Sequence, residues 1–267
     1  MRLTSLGFRT DVALRIAEGA EVTDRGDCLV IRSPENPGFW WGNFLLLRGW
    51  PKDGDGWLDR FAAEFPQAGH VAIGVDVTEP GGPLPAEFAT LEPETSTVLT
   101  SAVLTSAVRT GTELPPPAPP GPAAEIRTLV SNQDWHQSVE LNLRCYGEQT
   151  PADFQRRRTA ARRRMTEAGR AAWFGAFHGD RLVAQLGVCD AGGGLARYQD
   201  VETDPAARRR GLAGTLVWHA GRFARTAFGA RTFVIVADPA EGAIRIYRDC
   251  GFADAQTQFS FARPAGG

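Results

Sequence analysis

Short apolar runs, separated by turns that contain glycine, proline and aspartate, dominate the first hundred residues of the chain. Three runs of strand length predict strands over residues 28–32, 39–47 and 70–77. The run over 39–47 is the most apolar stretch of the chain, which predicts a central strand. Helical spacing of apolar residues predicts short helices over 11–18 and 57–65, and residues 95–108 predict one or two further strands.

Strands and longer helices alternate after residue 124. The predicted strands cover residues 125–130, 173–177, 181–189, 195–203 and 231–237. The predicted helices cover residues 134–145, a segment that begins at Pro151, residues 211–228 and residues 240–250. The two halves together predict a protein of the α/β (α+β) class.

A proline-rich segment separates the two halves. Six prolines lie within residues 115–122, and this composition predicts an extended, semi-rigid spacer. The predicted organisation is therefore a first domain over 1–110, a linker over 111–124 and a second domain over 125–267.

The charge balance excludes a strongly basic or acidic protein. The 267 residues carry 29 Lys and Arg against 31 Asp and Glu, a formal net charge of −2, so no global field favours nucleic acid or an anionic membrane. No apolar run approaches the roughly 18 residues of a membrane span. The four cysteines lack paired spacing and no histidine cluster accompanies them, which predicts no metal site and free thiols in a reducing cytoplasm.

One stretch, residues 201–214, combines the signals of a strand end, a tight loop and a helix start. Residues 201–203 predict the end of a strand, because the proline that follows lacks the N–H of a ladder. The pattern Arg208-x-x-Gly211-x-Ala213 comes just before an apolar helical periodicity. A helix N-terminus offers unpaired N–H donors and a positive dipole end, so the pattern predicts a cradle for a pyrophosphate. A simple turn with a solvated arginine run is the alternative interpretation.

A second stretch favours the cradle. After the helix come a β-branched strand over 231–237, a short helix that contains Tyr247, and then Gly251 and Phe252. This order of elements and motifs resembles the GNAT superfamily of acyl-CoA-dependent N-acyltransferases over residues 125 to 263. The resemblance implies the GNAT fold, a central mixed and mostly antiparallel sheet flanked by helices.

The first domain has the element order of the second half of a GNAT domain but lacks the phosphate motif. After the predicted strand 39–47, the loop over 48–56 is longer and acidic and contains no Arg-x-x-Gly-x-Gly. We therefore expect two GNAT-like domains in tandem, of which the first is degenerate and does not bind CoA.

The resemblance implies that the second domain binds acetyl-CoA as a co-substrate. Backbone groups at the strand end are expected to pair with the pantetheine arm, and the loop and helix start to hold the pyrophosphate. The implied contacts are Val201, Glu202, Thr203, Arg208, Arg209, Arg210, Gly211, Leu212, Ala213, Gly214, Thr215 and Tyr247. Ala240 stands where the family often has asparagine, so one cofactor contact is in doubt.

The catalytic groups follow from the same resemblance. Tyr247 lies where the family commonly has its general acid, and a phenol with a pKa of about 10 suits protonation of a departing thiolate. The family's frequent glutamate base falls near Arg197, which cannot accept a proton. We assign the base to Glu202, with a water relay as an equal alternative. Strand alternation predicts that Glu202 and Asp200 lie on the opposite face from Arg197.

The predicted function is N-acetyl transfer from acetyl-CoA to a primary amine of a small molecule, amino acid or peptide. The alternative is a non-catalytic acyl-CoA-binding or regulatory module with the same fold. We expect no nucleic-acid or membrane partner, a cytoplasmic location, and a monomer or homodimer. Six arginines between residues 156 and 164 predict either a solvated face or a contact with an anion such as the 3′-phosphate of CoA.

Overall fold

The computed structural model describes residues 3–101, 124–147, 151–240 and 242–264. The chain forms two compact units, one made of Met1–Val98 with Ala255–Gly267 and the other of Leu99–Asp254. Among the described residues, no helix has both the length and the apolar composition that crossing a membrane requires.

The first unit is a mixed sheet with one helix on each face. Its helices and strands are α1 (Leu6–Ala17), β1 (Glu21–Asp24), β2 (Cys28–Arg32), β3 (Phe44–Leu47), α2 (Trp57–Glu64), β4 (His70–Val75), most of β5 (Glu92–Ser101) and most of β11 (Phe252–Pro264). The strand order is β1-β2-β3-β4-β11-β5. Strands β3 and β4 are parallel, whereas the pairs β1/β2, β2/β3 and β4/β11 are antiparallel.

The central strands of this unit are apolar on both faces because a helix covers each face. Leu29 of β2 belongs to the same buried cluster as Phe8 of α1. The next residue, Val30, belongs to the cluster that contains Phe61 of α2. Neighbouring residues of a strand point to opposite faces, so the continuous apolar run over 28–32 fills two cores at once.

The second unit is a sheet in the order β10-β9-β8-β7-β6. Its elements are β6 (Ala124–Thr128), α3 (Asn132–Tyr146), α4 (Ala152–Glu167), β7 (Ala171–His178), β8 (Arg181–Gly192), β9 (Leu195–Thr203), α5 (Leu212–Ala227), β10 (Thr232–Ala237) and α6 (Ala243–Asp249). Strands β6 to β9 pair antiparallel, and β9 pairs parallel with β10. The predicted mixed, mostly antiparallel sheet flanked by helices is confirmed.

Two neighbouring residues of β7 show how the helices of the second unit are distributed. The Trp173 ring lies 6.2 Å from the Trp135 ring of α3, and the Arg162 guanidinium of α4 lies 5.7 Å from the centre of the Trp173 ring. The Phe174 ring lies 5.6 Å from the Phe223 ring of α5. Because successive side chains of a strand point to opposite faces, α3 and α4 cover one face and α5 covers the other.

The predicted central strand over 39–47 is wrong in its first half. Trp40–Gly42 form a short 3-10 helix, and the strand begins only at Phe44. The Asn43 side chain is the physical reason, because its Nδ2 donates to the Phe39 carbonyl at 2.9 Å and its Oδ1 accepts from the Ser33 N–H at 3.0 Å. Such side-chain bonds offer the backbone an alternative to a ladder.

Helix α1 begins five residues before the start predicted for the helix over 11–18. Ser5 caps it, with its Oγ accepting from the Phe8 N–H. The Asp76 carboxylate, from the far end of β4, accepts from the Thr4 N–H and, at 2.7 Å, from the Ser5 N–H. The local pattern of apolar residues could not predict this start, because Asp76 is far from it in sequence.

The C-terminal strand divides the chain differently from the predicted domains. The prediction assigned residues 125–267 to one domain, whereas Phe259–Pro264 of β11 pair with His70–Val75 of β4 in the first unit. The proposed linker over 111–124 and the end of the predicted strands over 95–108 fall almost entirely in 102–123, outside the described residues. The boundaries at 110 and 124 therefore remain predictions.

Asp134 fixes the start of α3. Its carboxylate accepts from the backbone N–H groups of Val130 and Ser131, while the Ser131 Oγ accepts from the Asp134 N–H in a capping box. Both terminal nitrogens of Arg127 donate to the same carboxylate at 2.8 and 2.9 Å. This guanidinium holds the pKa of Asp134 well below its usual range, against the opposing effect of burial.

We expect Asp134→Ala to lower the free energy of unfolding at pH 7 by about 2–3 kcal/mol, because it removes a cap and leaves buried donors unpaired. A carboxyl with a lowered pKa stabilises the fold above its unfolded pKa, so the deficit should shrink as the pH falls below about 4. Chemical denaturation across pH measures this. Asp153→Ala, which removes an exposed carboxylate with one ion pair to Arg156, is the control and should leave the midpoint nearly unchanged. Equal losses in the two variants would contradict the argument.

Candidate active site

An irregularity in β9 shapes the site. Gly187 of β8 lies opposite Gln199 of β9, but Gln185 lies opposite Glu202, so β9 carries one extra residue between the two pairs. Asp200 lies within this interval and has a φ of 51°. These are the marks of a β-bulge, which interrupts the ladder and turns the strand.

The bulge changes which face the carboxylates occupy. The Tyr198 hydroxyl donates to the Val217 carbonyl on α5, so Tyr198 faces α5. Regular alternation would place Asp200 and Glu202 on that same face. Instead, Asp200 pairs with Arg162 of α4 at 2.8 Å, and Glu202 bonds to α3. The prediction that these carboxylates lie opposite Arg197 is therefore wrong, because Arg197, next to Tyr198, shares the α3 and α4 face with them.

Strands β9 and β10 separate just before the bulge. Their parallel pairing runs from Leu195 with Thr232 to Arg197 with Val234. Within these two described strands, no pair forms beyond that point, although β9 continues to Thr203. The backbone edge over 199–203 is thus open on the side of β10, where an extended ligand could pair with it.

The loop after β9 is held by Asp204. One of its carboxylate oxygens accepts from the Ala206 N–H at 3.0 Å, and the other accepts from Arg144 and Arg181 at 2.9 Å each. Two basic side chains and a backbone donor therefore fix the start of the loop. Arg208 closes back onto the strand, with its Nε donating to the Thr203 carbonyl at 3.2 Å.

Helix α5 begins with its first donors free. Gly211 is the N-cap, with a φ of 76° and no side-chain cap bond. The N–H groups of Leu212, Ala213 and Gly214 have no partner among the described residues, as expected of a first turn. A Cβ added to Gly211 would meet nothing within 4 Å, so the space beside these donors is open. Unpaired donors, the helix dipole and open space together suit an anion.

Three exposed arginines and a short helix complete the surroundings. Arg208, Arg209 and Arg210 are all exposed at the start of α5. A Cβ added to Gly214 would lie 3.6 Å from the Cys250 Sγ, which places the end of α6 beside the first turn of α5. Tyr247 on α6 is buried in the same apolar cluster as Leu212.

Helix α6 itself begins at Ala243, three residues after the predicted start. The Asp238 carboxylate accepts from the Ala240 N–H at 2.8 Å and forms a turn there.

Glu202 is buried and held at both oxygens. Asn142 Nδ2 donates to one oxygen at 2.7 Å, and Gln185 Nε2 donates to the other at 2.6 Å. Burial, followed by the charge of Asp200, raises the pKa of Glu202 to about 7, against the effects of Arg162 and the two amides. A carboxyl that ionises near neutral pH is suited to accept a proton there.

The predicted cofactor residues lie on three elements, β9, α5 and α6. Residues 201–203 end β9, residues 208–215 form the loop and first turn of α5, and Tyr247 lies on α6. Sequence reasoning missed Asn142, Gln185 and Asp204. The Asp-Pro pair could have signalled a cap at Asp204, but no signal links Asn142 or Gln185 to Glu202.

The arginines of α4 are largely engaged within the unit. Arg158 and Arg162 pair with Asp200, Arg156 with Asp153, and Arg163 with Glu167. These pairs neutralise much of the predicted basic face, which favours the interpretation of a solvated and internally paired helix over that of an anion-binding surface.

The first unit has a similar strand, loop and helix but fills the anion position with its own carboxylate. Gly56 is the N-cap of α2 with a φ of 65°. The Glu87 carboxylate accepts from the Trp57 N–H at 3.3 Å and the Leu58 N–H at 3.2 Å. The parallel strands β3 and β4 stay paired to their last residues, Leu47 with Val75. This segment of the first unit therefore lacks both the separated strands and the unoccupied helix start that are seen at β9 and α5.

Comparisons with known proteins agree with this arrangement. Residues 135–252 match the model of the acetyltransferase (GNAT) family. No curated protein matches the chain in sequence. A solved GCN5-related N-acetyltransferase from Kribbella flavida is 16% identical with a TM-score of 0.63, and the match covers 98% of each chain.

Two further solved structures share the fold. A tandem GNAT protein from the clavulanic acid biosynthesis pathway is 15% identical with a TM-score of 0.58, over 97% of this chain and 88% of that one. A functionally unknown conserved protein from Staphylococcus epidermidis ATCC 12228 is 10% identical with a TM-score of 0.67, over 92% and 95%. At these identities the likeness establishes the fold alone. Residues 135–252 therefore form a domain of the acetyltransferase (GNAT) family, and the chain shares its fold with a tandem GNAT protein along nearly its whole length.

Proposed function

We propose that the second unit transfers the acetyl group of acetyl-CoA to a primary amine of a small molecule, amino acid or peptide. The open edge of β9 beside a helix with free N–H donors is the observation that carries the proposal. An open strand edge suits the amide-containing arm of CoA, and the free donors suit its pyrophosphate.

The residues present fit this co-substrate. Backbone groups of Val201 and Thr203 would pair with the arm, and the N–H groups over 211–214 would hold the pyrophosphate. The exposed arginines over 208–210 would add positive charge. Acetyl-CoA supplies a thioester whose acyl carbon an amine can attack.

Glu202 would accept the proton of the acceptor amine, directly or through a water. Its pKa of about 7 means that a substantial fraction of this carboxylate is ionised at neutral pH. Tyr247 would donate a proton to the departing thiolate. The first unit would not bind CoA, because Glu87 already occupies the helix N-terminus that a pyrophosphate would need.

The direct test incubates the protein with acetyl-CoA and a panel of amines, amino acids and peptides. The release of free CoA thiol is measured to detect transfer. The proposal expects amine-dependent thiol release and an acetylated product of matching mass. Tight acetyl-CoA binding with no turnover on any amine would favour the alternative, a non-catalytic acyl-CoA-binding module.

We expect Gly211→Glu to weaken acetyl-CoA binding at least about 100-fold, because its carboxylate would repel the pyrophosphate at the helix start. Isothermal calorimetry measures this. Gly229→Glu is the matched control, since Gly229 follows the other end of α5 with a φ of 62° and equally open space. Both variants strain a positive φ, so both should melt somewhat lower, but only the first should lose binding. Unchanged affinity in Gly211→Glu would refute the site.

We expect one acetyl-CoA per chain at saturation. In the first unit, Glu87 occupies the start of α2, and β3 and β4 stay paired to their ends, whereas the second unit has free donors at the start of α5 and an open edge on β9. Equilibrium dialysis with labelled acetyl-CoA gives the stoichiometry. Two molecules per chain would show a second site and contradict this expectation.

We expect Tyr247→Phe to lower kcat by about 10²- to 10⁴-fold while the KM for acetyl-CoA changes little, because the proton is needed only as the thiolate leaves. Single-turnover kinetics measure the chemical step without product release. Tyr198→Phe is the control, since it removes another buried hydroxyl, one that donates to the Val217 carbonyl. It should lower the melting temperature but not kcat. A folded Tyr247→Phe variant with wild-type turnover would remove this residue from the mechanism.

A further inference from the structure

Two amide side chains from two different elements hold the Glu202 carboxylate. Asn142 comes from α3 and Gln185 from β8, and each donates to a different carboxylate oxygen, at 2.7 and 2.6 Å. All three side chains are buried, with exposed fractions of 2% for Asn142, 0% for Gln185 and 3% for Glu202. A carboxylate held at both oxygens by donors from two elements has one orientation.

The oxygen atoms of the two amides indicate which part of each side chain contributes to the site. Asn142 Oδ1 and Gln185 Oε1 are buried and have no hydrogen-bond partner among the described residues. An unpaired buried acceptor destabilises a fold, and apolar side chains of similar size would avoid that penalty. The amides therefore contribute chiefly through their NH2 groups, whose bonds go to Glu202 and, for Gln185 at 3.4 Å, also to the Ser138 carbonyl.

Charged and titratable groups reach Glu202 from every element around it. Asp200 on its own strand opposes the charged carboxylate, and Arg162 of α4 favours it. Cys145 and Tyr146 of α3 also interact with Glu202, and burial keeps the Cys145 thiol protonated by raising its pKa to about 11. The amides differ from all of these groups because they stabilise the charge without carrying charge or a transferable proton.

We propose that Asn142 and Gln185 are positioning residues for Glu202, which orient its carboxylate and favour its charged, proton-accepting form. Each oxygen uses one acceptor position for an amide and keeps another for a proton. The contribution of these two residues to acetyl transfer rests on the proposed function, but their effect on the orientation and charge of Glu202 does not.

The test follows the Glu202 carboxyl directly. Protein labelled with [δ-13C]glutamate is titrated by NMR, and the Glu202 signal is the one lost in Glu202→Gln. We expect its midpoint to rise by about one pH unit in Asn142→Leu and in Gln185→Met, since each removes a donor to the charged form. Ser138→Ala is the matched control, because it removes a buried, unpartnered hydroxyl from the same helix, and it should leave the midpoint unchanged.

An unmoved Glu202 midpoint in both amide variants overturns the proposal, as does an equal shift in Ser138→Ala. Because a lost buried amide can prevent folding, Asn142→Thr and Gln185→Asn form a second pair, which keeps a polar group at each position on a side chain too short to reach the carboxylate in the same way. They should shift the midpoint in the same direction. No shift in whichever pair folds overturns the proposal.

Kinetics separate the two proposals. If Glu202 is the base, the acid limb of kcat/KM moves upward with the NMR midpoint, so activity at pH 7 falls about five-fold and recovers near pH 9, while KM for acetyl-CoA is unchanged. A merely structural role would lower activity equally at every pH. If the Glu202 titration midpoint shifts but the protein acetylates no amine, the proposed function is rejected and the positioning role of Asn142 and Gln185 is retained.

Discussion

The extra residue at Asp200 is the constraint on which the candidate site depends. It places the carboxylates of Asp200 and Glu202 on the α3 and α4 face of the sheet instead of the α5 face. There Asp200 pairs with Arg162, and Glu202 accepts from Asn142. It also lies just beyond the last residue pair between β9 and β10. One irregularity in the strand thus accompanies both the proposed base and the open edge, so the proposed positions of the cofactor and of the proton acceptor lie at the end of one strand.

The two units show that backbone geometry alone does not make a phosphate site. Both present a left-handed glycine as the N-cap of a helix that follows a strand, Gly56 in the first and Gly211 in the second. In the first unit, Glu87 accepts from the first two N–H groups of α2, and β3 remains paired to its end. In the second, three exposed arginines precede the helix, and the first donors have no partner among the described residues. Charge and strand separation, rather than the turn, distinguish the units.

Sequence reasoning succeeded where the information is local. The pattern from Arg208 to Ala213 encodes its own turn and helix start, so its geometry follows from neighbouring residues. It failed where distant residues decide. The bulge at Asp200 breaks the period of two from which the facing of Glu202 was predicted. Asn142 lies 60 residues from Glu202 in sequence, and neither the residue types nor their spacing predicts the hydrogen bond between them.

The stretch to which we assign the chemistry also contains unfavourable backbone conformations. Asp200 and Arg209 are the non-glycine residues with positive φ among the described residues, and they flank Glu202. A carboxyl whose pKa is raised by burial to about 7 stabilises the folded state fully below its unfolded value near 4.3 and loses that contribution as the pH rises through 7.

The ionised Glu202 that can accept a proton is therefore the form that the fold stabilises least. Hydrogen bonds from Asn142 and Gln185 offset part of this penalty, and the saturated cap of α3 at Asp134 supplies stability on the helix that carries Asn142. Glu202, the proposed base, is thus held in part by a helix whose own start is firmly fixed, so that its orientation does not depend on the strained strand alone.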